Sequence, residues 1–197
     1  MRKGYTLIEV LVTIAIFLLL SGSVTSLFVS SLTAQRKTLA SQTLFDNTSY
    51  ILEYMGRALR MAKKDTTGLC LGTGLEGYNY STSSYGDADR ITNIRFINHH
   101  FECQEFYLRN STGQIYQRIS SSSSSAGFGS ELPLTPDDFL VLAPQSQFLV
   151  KGASQTDQLQ PRITLFLDIE AKTPRPEMKA RIKIQTTISQ RDLDAQY

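Results

Sequence analysis

The sequence predicts an α+β protein. One long N-terminal α-helical spine, transmembrane in its first half, is expected to pack against an antiparallel β-sheet head. Three observations carry this. No proline occurs between Tyr5 and Lys64, and apolar residues recur there at helical spacing. The first part of that stretch is apolar all round. Beyond residue 90 the pattern changes to short runs rich in Ile, Phe and Tyr, separated by Gly, Ser, Pro and Asn.

The spine comes first. Residues 7–29 are almost uninterrupted in their apolar character, and about 20 helical residues cross a bilayer. Arg2 and Lys3 precede them and hold the N-terminus on the cytoplasmic side. Further on, Leu32, Leu39, Leu44, Phe45, Ile51, Leu52, Met55, Leu59 and Ala62 recur at spacings that give one apolar stripe. Glu53 precedes Arg57 by four, the favourable order for a helical ion pair. Arg60, Lys63 and Lys64 complement a helix C-terminus, and Asp65-Thr66-Thr67-Gly68 reads as the stop. A helix of about 60 residues is about 90 Å long. Ser21-Gly22-Ser23 is its expected weak point, because Gly lowers helix stability by about 1 kcal/mol.

The head follows. Residues 69–90 read as a Gly-, Ser- and Tyr-rich connection. Asp87-Ala88-Asp89 offers oxygen ligands of the kind calcium takes, but reads as a solvated turn. Strands are expected at 91–97, 101–109 and 114–119, the last two joined by the turn Asn110-Ser111-Thr112-Gly113. His99 and His100 fall in the strand-like stretch, so their side chains are expected on opposite faces. A run of six serines, 120–125, opens a flexible loop. Short strands are expected at 137–143 and 146–151. The clearest pair is 162–171 with 179–189, where Ile182, Ile184, Thr186 and Ile188 alternate with Arg181, Lys183 and Gln185. Cys70 and Cys103 either bridge, tying the post-helix loop to the sheet, or remain two buried thiols.

Enzymatic function finds no support. The only histidines are adjacent, two cysteines cannot build a four-ligand zinc site, and no nucleotide or hydrolase fingerprint occurs. No catalytic residue, metal ligand set or cofactor is assigned. The net charge of +2 leaves no electrostatic footprint for nucleic acid. Arg175, Lys179, Arg181 and Lys183 form a modest basic strip, read as a solvated strand face.

The N-terminus carries the functional signal, and its anomaly is Glu9. A carboxylate inside a membrane-length apolar run costs about 2.5–3.5 kcal/mol. A secretory signal peptide with a cut near Ser23 leaves that charge inside its apolar region, and hydrophobicity resumes after the cut. A plain single-pass anchor explains length and orientation but not the charge. A glutamate near the helix start can also snorkel to the interface. Tyr5 and Glu9 are four apart and share one helix face.

The segment Arg2-Lys3-Gly4-Tyr5-Thr6-Leu7-Ile8-Glu9-Val10 resembles the processing signal of type IV prepilins and type II secretion pseudopilins. The resemblance implies a leader of residues 1–4, cleaved by prepilin peptidase after Gly4, with N-methylation of Tyr5. Tyr stands where that family usually has Phe, which keeps the aromatic ring. It also implies that Glu9 pairs with the N-terminal amine of a neighbouring subunit, and that the fold is pilin-like. The implied domains are a transmembrane and assembly helix at 5–29, its amphipathic continuation at 30–65, and a β-sheet domain at 66–197. The implied partners are other pilin or pseudopilin subunits, the peptidase/methyltransferase, an inner-membrane assembly platform and membrane lipid. The implied location is the inner membrane, C-terminal domain outside the cytoplasm, then a surface filament. The order of features in the head is loosely similar to minor pilins (W-like) and J-type pseudopilins. The competing reading is a membrane-anchored extracytoplasmic binding domain whose helix is only a tether.

Overall fold

A computed structural model describes residues 4–82, 89–143, 145–154, 157, 159–173 and 179–191. One helix, α1 (Leu7–Arg60), leads into two four-stranded antiparallel sheets. The first sheet holds β1 (Arg90–Ile97), β2 (Cys103–Arg109), β3 (Gln114–Ile119) and β4 (Leu132–Pro133), in that spatial order. The second holds β5 (Phe139–Val141), β6 (Gln147–Lys151), β7 (Arg162–Ala171) and β8 (Arg181–Ser189). In it β7 is central: β5 and β6 pair with its two halves, and β8 pairs along nearly its whole length. This is the α+β arrangement the sequence predicts.

The helix runs through Ser21-Gly22-Ser23 without a break. The hydroxyls of this stretch back-bond within the helix. Ser23 Oγ donates to the Leu19 carbonyl and Thr25 Oγ1 to the Ser21 carbonyl, at 2.9 and 2.8 Å. The helix ends at Arg60, earlier than the Asp65 stop. Its last turn is instead closed by the Met61 amide, which donates to the Arg57 carbonyl, and the Ala62 amide, which donates to the Leu59 carbonyl, both at 3.3 Å.

The core forms where the lower half of α1 lies across both sheets. Leu44, Ile51, Met55 and Leu59 are buried on one stripe of the helix. Against them pack Ile94, Phe96, Phe106, Leu108 and Ile115 of the first sheet and Ile163, Leu165, Leu167, Ile169 and Ile188 of the second. Helix and sheets meet closely: Tyr54 donates its hydroxyl to Gln117 Oε1 at 2.7 Å, and Gly56 faces Ile188. The two sheets adjoin at β1 and β6, where the Phe148 amide donates to Thr92 Oγ1.

The β2–β3 hairpin pairs Leu108 with Ile115 and stacks Tyr107 on Tyr116. Its turn needs glycine at Gly113. The backbone is left-handed there (φ 64°), and a Cβ would meet the Leu140 side chain at 2.2 Å.

Candidate functional site

The N-terminal site is built by the first turn of α1. Thr6 is extended (φ −81°, ψ 151°) and caps the helix. Its hydroxyl accepts from the Glu9 amide at 3.4 Å. In return, Glu9 Oε2 accepts from the Thr6 amide and the Thr6 hydroxyl, both at 2.9 Å. This is a capping box, favoured because it satisfies amides that a helix start leaves without partners. It also fixes the carboxylate one turn from Tyr5. Glu9 Oε1 has no partner among the described residues and stays open to a donor.

Gly4 and Tyr5 precede the helix, and Tyr5 is 88% exposed. Residues 1–3 of the expected leader lie outside the described residues. From Leu7 to Val29 every large apolar side chain is exposed in the single chain, including Leu7, Leu11, Phe17, Leu20 and Phe28. By length and composition this helix is able to cross a membrane. A surface of this kind is stable only in lipid or against other apolar helices.

The post-helix loop is pinned by two devices. Cys70 and Cys103 form a disulfide with Cα atoms 5.5 Å apart, both residues fully buried. The second device escaped the sequence reading. Asp65, taken as part of a helix stop, is fully buried and gathers five donors. Its Oδ1 accepts from the Thr67 amide and hydroxyl and from the Gly68 amide, at 2.8 to 3.1 Å. Its Oδ2 accepts from the Cys70 and Leu71 amides at 2.9 and 2.8 Å. The Asp-x-x-Gly spacing is the only sequence trace of this turn.

A second buried carboxylate, Glu105 on β2, collects cross-strand partners. Arg118 Nε lies 2.6 Å from it, Asn93 Nδ2 2.9 Å, and Arg90 and Arg95 3.4 and 3.5 Å. Arg118 also covers the ring of Phe128 at 4.1 Å. Asp89, of the expected solvated turn, accepts from the Ser111 amide and hydroxyl and approaches Arg109 at 3.4 Å. Asp87 lies outside the described residues.

The histidine expectation is corrected. His99 and His100 sit in the β1–β2 turn, and their rings are 3.7 Å apart rather than on opposite faces. Asn98 closes β1 at Ile97: its Oδ1 accepts from the His100 and Glu102 amides, turning the chain back on itself. Among the described residues no three His, Cys, Asp or Glu side chains converge to hold a metal ion. The basic strip is largely neutralised. Arg181 clamps Asp168 with two hydrogen bonds of 2.7 and 2.6 Å, and Lys179 meets Glu170 at 2.5 Å. Arg175 lies outside the described residues.

Comparison with known proteins bears on the N-terminal site. Residues 1–25 match the family model of the prokaryotic N-terminal methylation motif. The match supports a type IV pilin-type precursor, processed and methylated at its N-terminus. The apolar helix beginning inside the matched segment is consistent with membrane anchoring. No curated protein and no solved structure matches the chain.

Proposed function

We propose that the chain is a minor pilin or pseudopilin subunit. In this reading prepilin peptidase cuts after Gly4, Tyr5 is N-methylated, and α1 carries the subunit into a type IV pilus or type II secretion pseudopilus. The observation that carries the reading is the methylation motif placed on an exposed, membrane-length helix. Before assembly the subunit stands in the inner membrane with its sheets outside the cytoplasm. Its partners are the peptidase/methyltransferase, the inner-membrane assembly platform and other subunits.

Glu9 has a specific part in this reading. One carboxylate oxygen is occupied by Thr6 and the other is open. Cleavage creates an amine on Tyr5, and a neighbouring subunit's amine is the partner that offsets the buried charge. Registry between helices then follows from one charge pair per subunit. The test is filament assembly with Glu9→Gln and Glu9→Leu. Both variants are expected to reach the membrane and fail to assemble. Assembly at the wild-type level by either one contradicts the pairing and favours a helix that is only a tether.

A further inference from the structure

The second sheet ends in a long open edge, β8. Its register with β7 fixes which backbone groups face outward. The Ala171 amide donates to the Ala180 carbonyl, and the Gln190 amide to the Pro161 carbonyl. In an antiparallel ladder, directly paired residues alternate between exchanging both bonds and exchanging none. Even-numbered residues from Ile182 to Ile188 therefore bond to β7. Arg181, Lys183, Gln185 and Thr187 turn their amides and carbonyls to the open edge. Among the described residues, none of these groups has a backbone partner, and β8 pairs with β7 alone.

The charges of this edge, Arg181 and Lys183, are confined to its first three residues. It has nine residues, no proline and an unbroken register with β7, whereas the opposite end of the first sheet stops at the two-residue β4 with Pro133. Two grooves between α1 and β8 also lie along it. One of about 600 Å³ is lined by Leu44, Phe45 and Ile182. The other, about 330 Å³, is mainly polar: Glu53, Arg57, Arg60 and Thr186 line it beside Leu52 and Ile188. A strand added beside β8 would drop every second side chain toward α1, and its ends would reach both grooves. On the outer face it would run beside Arg181 and Lys183. Asp168 already engages both, so the Lys183 ammonium, 3.5 Å from it and largely exposed, keeps positive character to offer.

We propose that the open edge of β8 is a strand-docking site for an extended segment of another protein, with an apolar side chain facing α1 at the Ile182 end and acidic side chains facing outward. Backbone pairing supplies the affinity, and the apolar groove with Lys183 supplies the selection. A second copy of this chain does not fit. Pairing β8 with its own copy in antiparallel fashion reverses one α1 against the other. Two helices that start from the same membrane run parallel. That exclusion, and only that, rests on the membrane-anchored reading.

The test uses the full chain in detergent and a blocked nine-residue peptide of alternating valine and glutamate. Site-resolved hydrogen exchange is measured on β8. The peptide is expected to slow the Arg181, Lys183, Gln185 and Thr187 amides at least tenfold, leaving the even-numbered amides unchanged. An alternately N-methylated peptide of the same sequence, and one with lysine for glutamate, are expected to give no protection. Lys183→Gln, at an exposed side chain, is expected to lower the protection several-fold while the melting temperature holds. No slowing at millimolar peptide overturns the proposal. So does odd-numbered protection already present in the free chain, which means that its own residues cover the edge. Equal binding of the lysine peptide removes the acidic selection. A β8–β8 dimer overturns the choice of partner and counts against a shared membrane orientation.

Discussion

Replacing Cys70 and Cys103 together by serine removes the covalent link between the post-helix loop and β2. The bridge closes a loop with a sequence separation of 33. The chain-entropy relation gives about 4 kcal/mol of lost stability at 25 °C for such a loop. Relaxation does not spare the site, since both cysteines and Leu71 are buried with Ile97 in a small core of their own. For a chain of this size each 1 kcal/mol moves the melting temperature by about 2–4 °C. The double variant is therefore expected to melt about 8–16 °C lower. The assay is thermal unfolding of the full chain in detergent, followed by tyrosine emission, with and without reductant. Wild type under reductant should fall to the level of the variant, and the variant should not respond. A shift below about 3 °C refutes the argument, because the loop is then held by its other contacts alone.

Two further outcomes concern carboxylates of the head. Asp65→Asn places an NH₂ group against buried amide donors that now share a carboxylate; a loss of about 2–4 kcal/mol and faster exchange of the Cys70 and Leu71 amides are expected, and a loss under about 0.5 kcal/mol contradicts the role. The bidentate hydrogen bonds from Arg181 hold the Asp168 carboxyl below its ordinary range. A depressed folded-state value means that the stabilisation is complete above the unfolded value of about 3.9 and is lost as the pH falls through the folded one. Stability measured against pH should therefore drop below about pH 4, and Arg181→Gln should flatten that acid limb; an unchanged limb removes Asp168 from the account.

Much of this fold was legible because its signals are local. Helical spacing marks the buried stripe from Leu44 to Leu59, and alternation marks Ile182 to Ile188 on the inner face of β8. The errors arose where a side chain overrode the pattern. Asn98 captures two amides and turns the chain, so the histidines lie in a turn and β2 starts at Cys103 rather than at Phe101. β4 was missed because two residues flanked by loop carry no period. The partners of Asp65 are mostly backbone amides, which no residue pattern encodes. The arginines around Glu105 come from two strands, β1 and β3, and their convergence depends on a register fixed only by the assembled sheet. At the N-terminus the motif was legible, whereas the capping geometry of Glu9, with one oxygen bound and one open, was not.

The central claim is that the chain is a precursor whose function begins with processing. Mass spectrometry of the mature N-terminus, on protein recovered from the membrane of a cell with an active prepilin peptidase, tests it most directly. The account predicts a chain that starts at Tyr5 and carries one added methyl group on its amine. A mature chain that starts at Met1, or one that starts after Ser23, contradicts it.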